Sequence, residues 1–312
     1  MDYVTLGHSG LQVSRVCLGG NSWGAAGRRA WAPFDAAASR PFFRRALDLG
    51  INFFDTADSY NTGESETVMG AELLGAVPRD ELVITTKVGS PMSGKPNAAG
   101  VSRKHILASI DHSLRRLGTD YVDVYMLHRL DTRTPPEETI SALVDVVRAG
   151  KARYVAASTM RPTQFARLQM LARAEGLRFV AMQSLYNLID RDDEADLVPF
   201  CLEEGVALTP YSPLARGTLS RGVVGTAATE RSKLDQYASR YAGPAAVAAA
   251  GRVAAVAQAM GAPPGQVALA WLLHQKGVVA PVLGVTRVEH IEEAVAATAL
   301  RLSPAQLAEL GG

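Results

Sequence analysis

The chain has 312 residues, 47% of them hydrophobic and 20% charged, which supplies a sizeable core and argues against disorder. A formal net charge of +1 argues against a nucleic-acid or other polyanionic partner, and no 18-residue apolar run marks a membrane span. The two cysteines, Cys17 and Cys201, are too few for a disulfide framework or a four-ligand zinc site and are expected as buried free thiols. No basic-then-apolar leader pattern opens the chain, so a reduced, cytoplasmic setting is expected, and no metal.

In chain order, residues 4–6 and 11–13 flank His8-Ser9-Gly10 and read as a small hairpin. A first buried strand, 15–18, ends in Gly19-Gly20-Asn21-Ser22-Trp23-Gly24. A helix at 39–49 sets Phe42, Phe43, Ala46 and Leu47 on one face. Strand 51–55, helix 66–74 and strand 82–87 follow. Residues 102–117 make an amphipathic helix in which Ile106, Ile110, Ser113, Leu114 and Leu117 keep the i, i+3, i+4 rhythm. Ser102 is its expected N-cap and Gly118 its stop. Strand 122–127, helix 136–149, strand 153–157, helix 162–174, strand 179–183, helix 193–204 and strand 206–211 continue the alternation. Residues 212–244 are polar and without a clean period. Helices 245–260 and 266–275 precede a last strand at 278–283 and a closing helix at 289–299.

Eight short, mostly apolar strands, each followed by helix, predict parallel pairing with both sheet faces covered. Eight such units close into a (β/α)8 TIM barrel. No linker-like shift in composition occurs, so residues 1–312 are read as a single domain. It would carry the N-terminal β-hairpin and long loops on the C-terminal face. An open, doubly wound sheet is the runner-up.

In a (β/α)8 barrel the chemistry lies at the C-terminal ends of the strands. Those ends carry Gly20-Asn21-Ser22, Asp55 with Tyr60 in the next loop, Lys87, His128, Ser158-Thr159, Gln183, Tyr211-Ser212 and Gly284. An acid, a lysine and a histidine on three successive strands are a constellation that chance composition rarely gives. A buried lysine needs a partner, and Asp55 on the neighbouring strand is one. An ammonium beside a phenol stabilises the phenolate, so Tyr60 can donate and retake a proton near neutral pH. His128 is placed to hydrogen-bond a substrate carbonyl oxygen.

At this point the sequence resembles the aldo-keto reductase superfamily. The resemblance rests on Gly19-Gly20-Asn21-Ser22-Trp23, the run from Asn52 to Tyr60, Thr86-Lys87, Leu127-His128-Arg129, Gln183-Ser184-Leu185-Tyr186-Asn187 and the run from Tyr211 to Gly217. It looks most like the bacterial branch that acts on small aldehydes, ketones, sugars or natural-product intermediates. The resemblance implies a (β/α)8 barrel, an NAD(P)(H) cofactor and reversible carbonyl–alcohol conversion. It makes Tyr60 the general acid/base, tuned by Lys87 and Asp55, with His128 orienting the carbonyl.

No Gly-x-Gly-x-x-Gly follows a strand, so a dinucleotide would lie across the barrel mouth. The cofactor residues expected from the resemblance are Gly20, Asn21, Ser22, Asp55, Ser158, Gln183, Tyr211, Ser212, Leu214, Arg216, Leu219, Gly284, Thr286, Arg287 and Glu293. Tyr211 would stack on the nicotinamide, and Gln183 and Ser158 would bond its carboxamide. The loop carrying Leu214, Arg216 and Leu219 would pass over the pyrophosphate. The Arg287 guanidinium suits a 2′-phosphate, which favours NADPH/NADP+, with NADH the alternative. The chain departs from the family's usual pattern at Val285, at Ala294 after Glu293, and at Thr159 after Ser158.

Substrate-facing candidates are Trp23, Tyr60, His128, Met92 and Arg129, with Trp31 and the 91–96 loop beside them. The partner expected is a small-molecule carbonyl compound. Two other functions fit the same barrel: reduction of an activated C=C bond, as in a deoxysugar enone, and a nucleotide-binding regulatory module with little turnover.

Overall fold

The computed structural model describes residues 1–24, 34–221 and 238–311. The hairpin forms from β1 (Tyr3–Thr5) and β2 (Gln12–Ser14), paired antiparallel. The barrel strands are β3 (Cys17–Gly19), β4 (Phe53–Asp55), β5 (Val83–Val88), β6 (Val122–Leu127), β7 (Ala152–Ser158), β8 (Phe179–Gln183), β9 (Ala207–Leu208) and β10 (Val282–Leu283). Neighbours pair in parallel from β3 to β9, and β10 pairs back onto β3. Bridges Leu208–Val278 and Tyr211–Val282 join the two ends of the sheet and close the ring.

Ten helices occur among the described residues: α1 (Ala36–Asp48), α2 (Glu64–Leu73), α3 (Arg103–Leu117), α4 (Pro136–Arg148), α5 (Pro162–Ala174), α6 (Leu197–Glu204), α7 (Pro244–Met260), α8 (Pro264–His274), α9 (Glu289–Ala299) and α10 (Pro304–Gly311). Helix α3 starts and stops as its sequence requires. The Ser102 side chain accepts from the His105 N–H, and Gly118 takes the left-handed conformation, with φ 73°, that ends the helix. No helix among the described residues is by itself long and apolar enough to cross a membrane. Cys17 and Cys201 are both buried free thiols.

Several boundaries differ from the sequence reading. The strands expected at 206–211 and 278–283 shrink to two residues each, because Pro210 and Pro281 have no N–H to give a ladder. Their carbonyls still serve: Pro210 accepts from Val282 N–H at 2.8 Å and Pro281 from Cys17 N–H at 3.0 Å. The helix expected at 193–204 is broken at Asp196, whose φ of −147° is not helical; a short 3-10 turn, Asp192–Ala195, precedes it. Helix α1 begins three residues before the expected 39, at Ala36, since the Asp35 side chain caps it by accepting from Ala38 N–H. Helix α10 lies beyond the last element expected.

Two apolar layers hold the barrel. One fills its interior and includes Cys17, Phe53, Val83, Val124, Met126, Ala156, Ala181, Ala207 and Val282, with Leu6 and Val13 of the hairpin region among them. The hairpin therefore plugs the N-terminal end of the barrel. The second layer lies between strands and helices and takes the alternate strand residues, such as Phe54, Ile84, Tyr125 and Met182.

Helices α2 and α3 approach each other at Gly70, where an added Cβ would stand 2.1 Å from the Leu117 carbonyl oxygen. An alanine in mid-helix normally gains about 1 kcal/mol over glycine. Overpacking against rigid backbone costs about 1–3 kcal/mol. With the added Cβ so close to rigid backbone the clash is expected to win, so Gly70→Ala lowers the unfolding free energy, by up to about 2 kcal/mol, in a denaturant titration.

Candidate active site

Strand alternation aims the polar residues at the barrel mouth. Phe53 faces the interior, so Asp55 two residues on does too; Val83 leads likewise through Thr85 to Lys87. Met126 leads to His128, Ala156 to Ser158 and Ala181 to Gln183. Residues from five strand ends thus converge on the mouth, across a register shift in the β7–β8 pairing at Val155/Ala156.

The Lys87 side chain has no solvent exposure, and its ammonium spends its donors on three oxygens. Asp55 Oδ1 lies at 2.5 Å, the Thr56 carbonyl at 3.0 Å and the Tyr60 phenol oxygen at 3.2 Å. The other Asp55 oxygen accepts from Gln183 Nε2 at 3.0 Å. Burial works against the charge on Lys87, but Asp55 and Tyr60 outweigh it and the lysine pKa is raised above its usual 10.5.

His128 stands with its ring edge-on to Tyr60, centroids 5.6 Å apart at 83°. Its Nδ1 lies 3.2 Å from the Ser90 hydroxyl. Burial, then the positive charges of Lys87 and Arg129, push the His128 pKa well below 6.5, so its ring is neutral at pH 7.

The first barrel strand ends flush against this group. Gly20 donates its N–H to the Asp55 carbonyl at 2.6 Å, and its carbonyl accepts from Ser65 Oγ at 2.6 Å. A Cβ on Gly20 would meet the Asp55 carbonyl oxygen and Ser65 Oγ, each at 2.8 Å, so glycine is required by close approach. Ser22 is buried and donates to Asn21 Oδ1 at 3.2 Å, and Asn21 lies beside Gly284 across the β3–β10 pair.

On the opposite side, the Ser158 and Thr159 hydroxyls are 3.0 Å apart. Thr159 also bonds the phenol of Tyr211, whose pKa burial raises. Tyr211 is held by its N–H to the Ser184 carbonyl at 2.9 Å, and the Ser212 carbonyl accepts from Asn187 Nδ2 at 3.1 Å. Leu214 and Arg216 follow in a tight turn with Arg216 at φ 54°. Leu219 is fully buried beneath that turn, so its side chain offers no surface to a ligand. Farther along, Thr286 is half-buried and Arg287 exposed. Arg287 Nε donates to His290 Nε2 at 3.1 Å, and the half-buried Glu293 is one turn on.

Two expectations, on Trp23 and Met92, meet a different geometry. Trp23 is fully buried, its ring centroid 5.2–5.8 Å from those of Phe34, Phe42 and Phe43, so it is a core residue rather than a pocket wall. The aromatic face of α1 draws it in. Met92 lines a cavity of about 210 Å³ with Asp58, His105, Ser109, His112 and Arg116, and neither Tyr60 nor His128 is in that lining. Gln183 commits its amide nitrogen to Asp55, which leaves the carbonyl oxygen as the end for other partners. Arg129 is exposed beside His128. Trp31 lies outside the described residues. Ser90 and His290 escaped the sequence reading; the i, i+3 spacing of Arg287 and His290 was the available signal for one, and nothing local marked the other.

Asp58 also escaped it. Its carboxyl is buried and neither oxygen meets a hydrogen-bond partner in good geometry. Burial, followed by the nearby Glu66 carboxylate, raises its pKa from 3.8 to about 8, against weaker opposition from Arg116. Between those two values the folded chain holds a proton that the unfolded chain has released. Folding stability therefore falls as pH rises through the window. Asp58→Asn removes this dependence. In melts from pH 4 to pH 9, its stability relative to the parent is expected to climb by a few kcal/mol, with most of the climb complete by pH 8.

The aldo/keto reductase family model matches residues 15–311 of the chain. Aldo-keto reductase dtxS3 of Metarhizium robertsii is 39% identical over 97% of this chain and 88% of its own length. Versiconal hemiacetal acetate reductase of Aspergillus parasiticus is 38% identical over 98% and 95%. A putative aryl-alcohol dehydrogenase of Schizosaccharomyces pombe is 37% identical over 96% and 92%. These three are fungal, whereas the sequence reading pointed to the bacterial branch. With the family matched from the first barrel strand to the last helix, the chain belongs to the aldo/keto reductases, oxidoreductases that act on small carbonyl compounds and use a nicotinamide cofactor.

Proposed function

We propose that the protein reduces an aldehyde or ketone with NADPH and that Tyr60 is the acid that protonates the nascent alkoxide. The observation that carries this reading is the Lys87 ammonium, 3.2 Å from the Tyr60 phenol oxygen and neutralised by Asp55 at 2.5 Å. When bound, the nicotinamide supplies the hydride. Tyr60 gives its proton to the carbonyl oxygen, and the ammonium favours the phenolate left behind. Nδ1 of the neutral His128 ring is 3.2 Å from the Ser90 hydroxyl; with that hydroxyl taken as the donor, the ring carries its proton on Nε2 and can donate it as a hydrogen bond to the same oxygen. Asp55 does no proton transfer; it holds Lys87 charged and fixes its direction.

The residues at the mouth fit a nicotinamide. With its amide nitrogen committed to Asp55, the Gln183 carbonyl oxygen would accept from the carboxamide, and the Ser158 hydroxyl would bond its other end. Tyr211, half-buried and tethered by its own backbone, offers a ring face. Arg287 is exposed, and its bond to His290 runs through Nε, so its two terminal nitrogens suit a 2′-phosphate.

A nitrobenzaldehyde is the assay substrate, chosen because one relative is described as an aryl-alcohol dehydrogenase. Tyr60→Phe is expected to quench tryptophan fluorescence with NADPH as the parent does, while kcat falls at least about 100-fold. Turnover at the parent rate would remove Tyr60 as the acid. Arg287→Ala is expected to weaken NADPH about tenfold or more, or about 1.4 kcal/mol, with NADH affinity nearly unchanged. Equal losses for both nucleotides would remove the phosphate role.

A further inference from the structure

The residue after Tyr60 sits in a conformation that L-amino acids adopt rarely. Asn61 has φ 47° and ψ 39°, Thr62 has φ 56° and ψ 38°, and Gly63 has φ 95°. Three left-handed residues in succession reverse the chain directly behind the phenol. Glycine takes this region freely and asparagine tolerates it, but Thr62 is β-branched and is strained there. Such a run persists only where its surroundings over-determine it.

Two clamps do so. Gly63 is pressed by Arg116, whose Cδ and Nε would each lie 2.6 Å from an added Cβ; Arg116 in turn bonds Glu66 at 2.6 Å. The other clamp is Asn61 itself. It is 8% exposed, and its Nδ2 donates to the Trp23 carbonyl at 2.5 Å. Gly24 closes over it, with a hypothetical Cβ 2.9 Å from Asn61 Nδ2 and 3.0 Å from Asn61 Cβ. Trp23 cannot follow a moving loop, because its ring is locked among Phe34, Phe42 and Phe43. Asn61 Oδ1 is buried with no partner, so the link to Trp23 is kept despite a local cost.

We infer that Asn61 is a positioning residue for the reaction: it ties the Tyr60 loop to the aromatic cluster behind the first barrel strand and so fixes where the phenol meets Lys87 and His128. The inference rests on the reading of Tyr60 as the acid. A 3.2 Å contact to Lys87 and an edge-on contact to His128 both end on one rotatable side chain. Its backbone must therefore be fixed from behind, since a misplacement of about 1 Å costs on the order of 100-fold in rate.

Asn61→Gly is the decisive variant, because glycine accepts φ 47° without strain and removes the tether alone. Its kcat for the nitrobenzaldehyde is expected to fall about 10–100-fold, with KM and NADPH quenching within about threefold of the parent. Asn61→Asp keeps the size and the tolerance of the left-handed region but presents an oxygen to the Trp23 carbonyl, and is expected to lose kcat likewise. It decides the matter if the glycine variant does not fold. In a Tyr60→Phe background the Asn61→Gly change is expected to cost nothing more, since a residue acting through the phenol has nothing left to position.

Parent-like kcat in a folded Asn61→Gly protein overturns the inference, as does an undiminished loss in the double variant. A Tyr60→Phe protein with parent turnover overturns the functional reading instead, so the two failures are distinct.

Discussion

A lysine ammonium buried to zero exposure is the constraint on which the site depends. Stripping water from an ammonium and a carboxylate costs several kcal/mol for each ion, and attraction offsets it only when hydrogen bonding is complete. Here it is complete: three oxygens receive the ammonium, and the carboxylate takes Gln183 on its second oxygen. Taking away either member would leave an uncompensated buried charge, at about 3–5 kcal/mol. The phenol is thus built onto a buried, fully hydrogen-bonded charge rather than onto an exposed side chain.

The barrel supplies that rigidity by register. Asp55 pairs with Thr85 across β4 and β5, so Lys87 stands two residues farther toward the mouth and its long side chain reaches back to the acid. His128 continues β6 by one residue, its N–H bonded to the Val88 carbonyl. The polar side chains are concentrated where the ladder stops, and the strands below it remain a close-packed apolar column.

Much of this was legible in the sequence because it is local. Strand–helix alternation, the caps of α3, and an acid, a lysine and a histidine at successive strand ends are short-range patterns. What depended on packing was not legible. Trp23 sits next to the expected site in sequence, but α1, arriving a dozen residues later, presents an aromatic face that captures it. The Gln183–Asp55 bond spans 128 positions and no spacing rule announces it. Strands over 206–211 and 278–283 read as continuous by hydrophobicity, although Pro210 and Pro281 already carried the reason for their shortening. Thr62 gave no sign that it would be forced into the left-handed region; its neighbours impose that.

The shortened strands leave the barrel with a seam. Between β9 and β10 the ring is joined by single bridges, with backbone bonds from Leu208 to Gly277, from Val279 to Leu208 and from Val282 to Pro210. By contrast β5 and β6 share a run of consecutive partners from Thr85 to Val88. Local opening draws on the least cross-linked part of a fold. Amide hydrogens at this join are therefore expected to exchange with solvent before those of the β5–β6 ladder, and the segment set free is the one that leads into Tyr211.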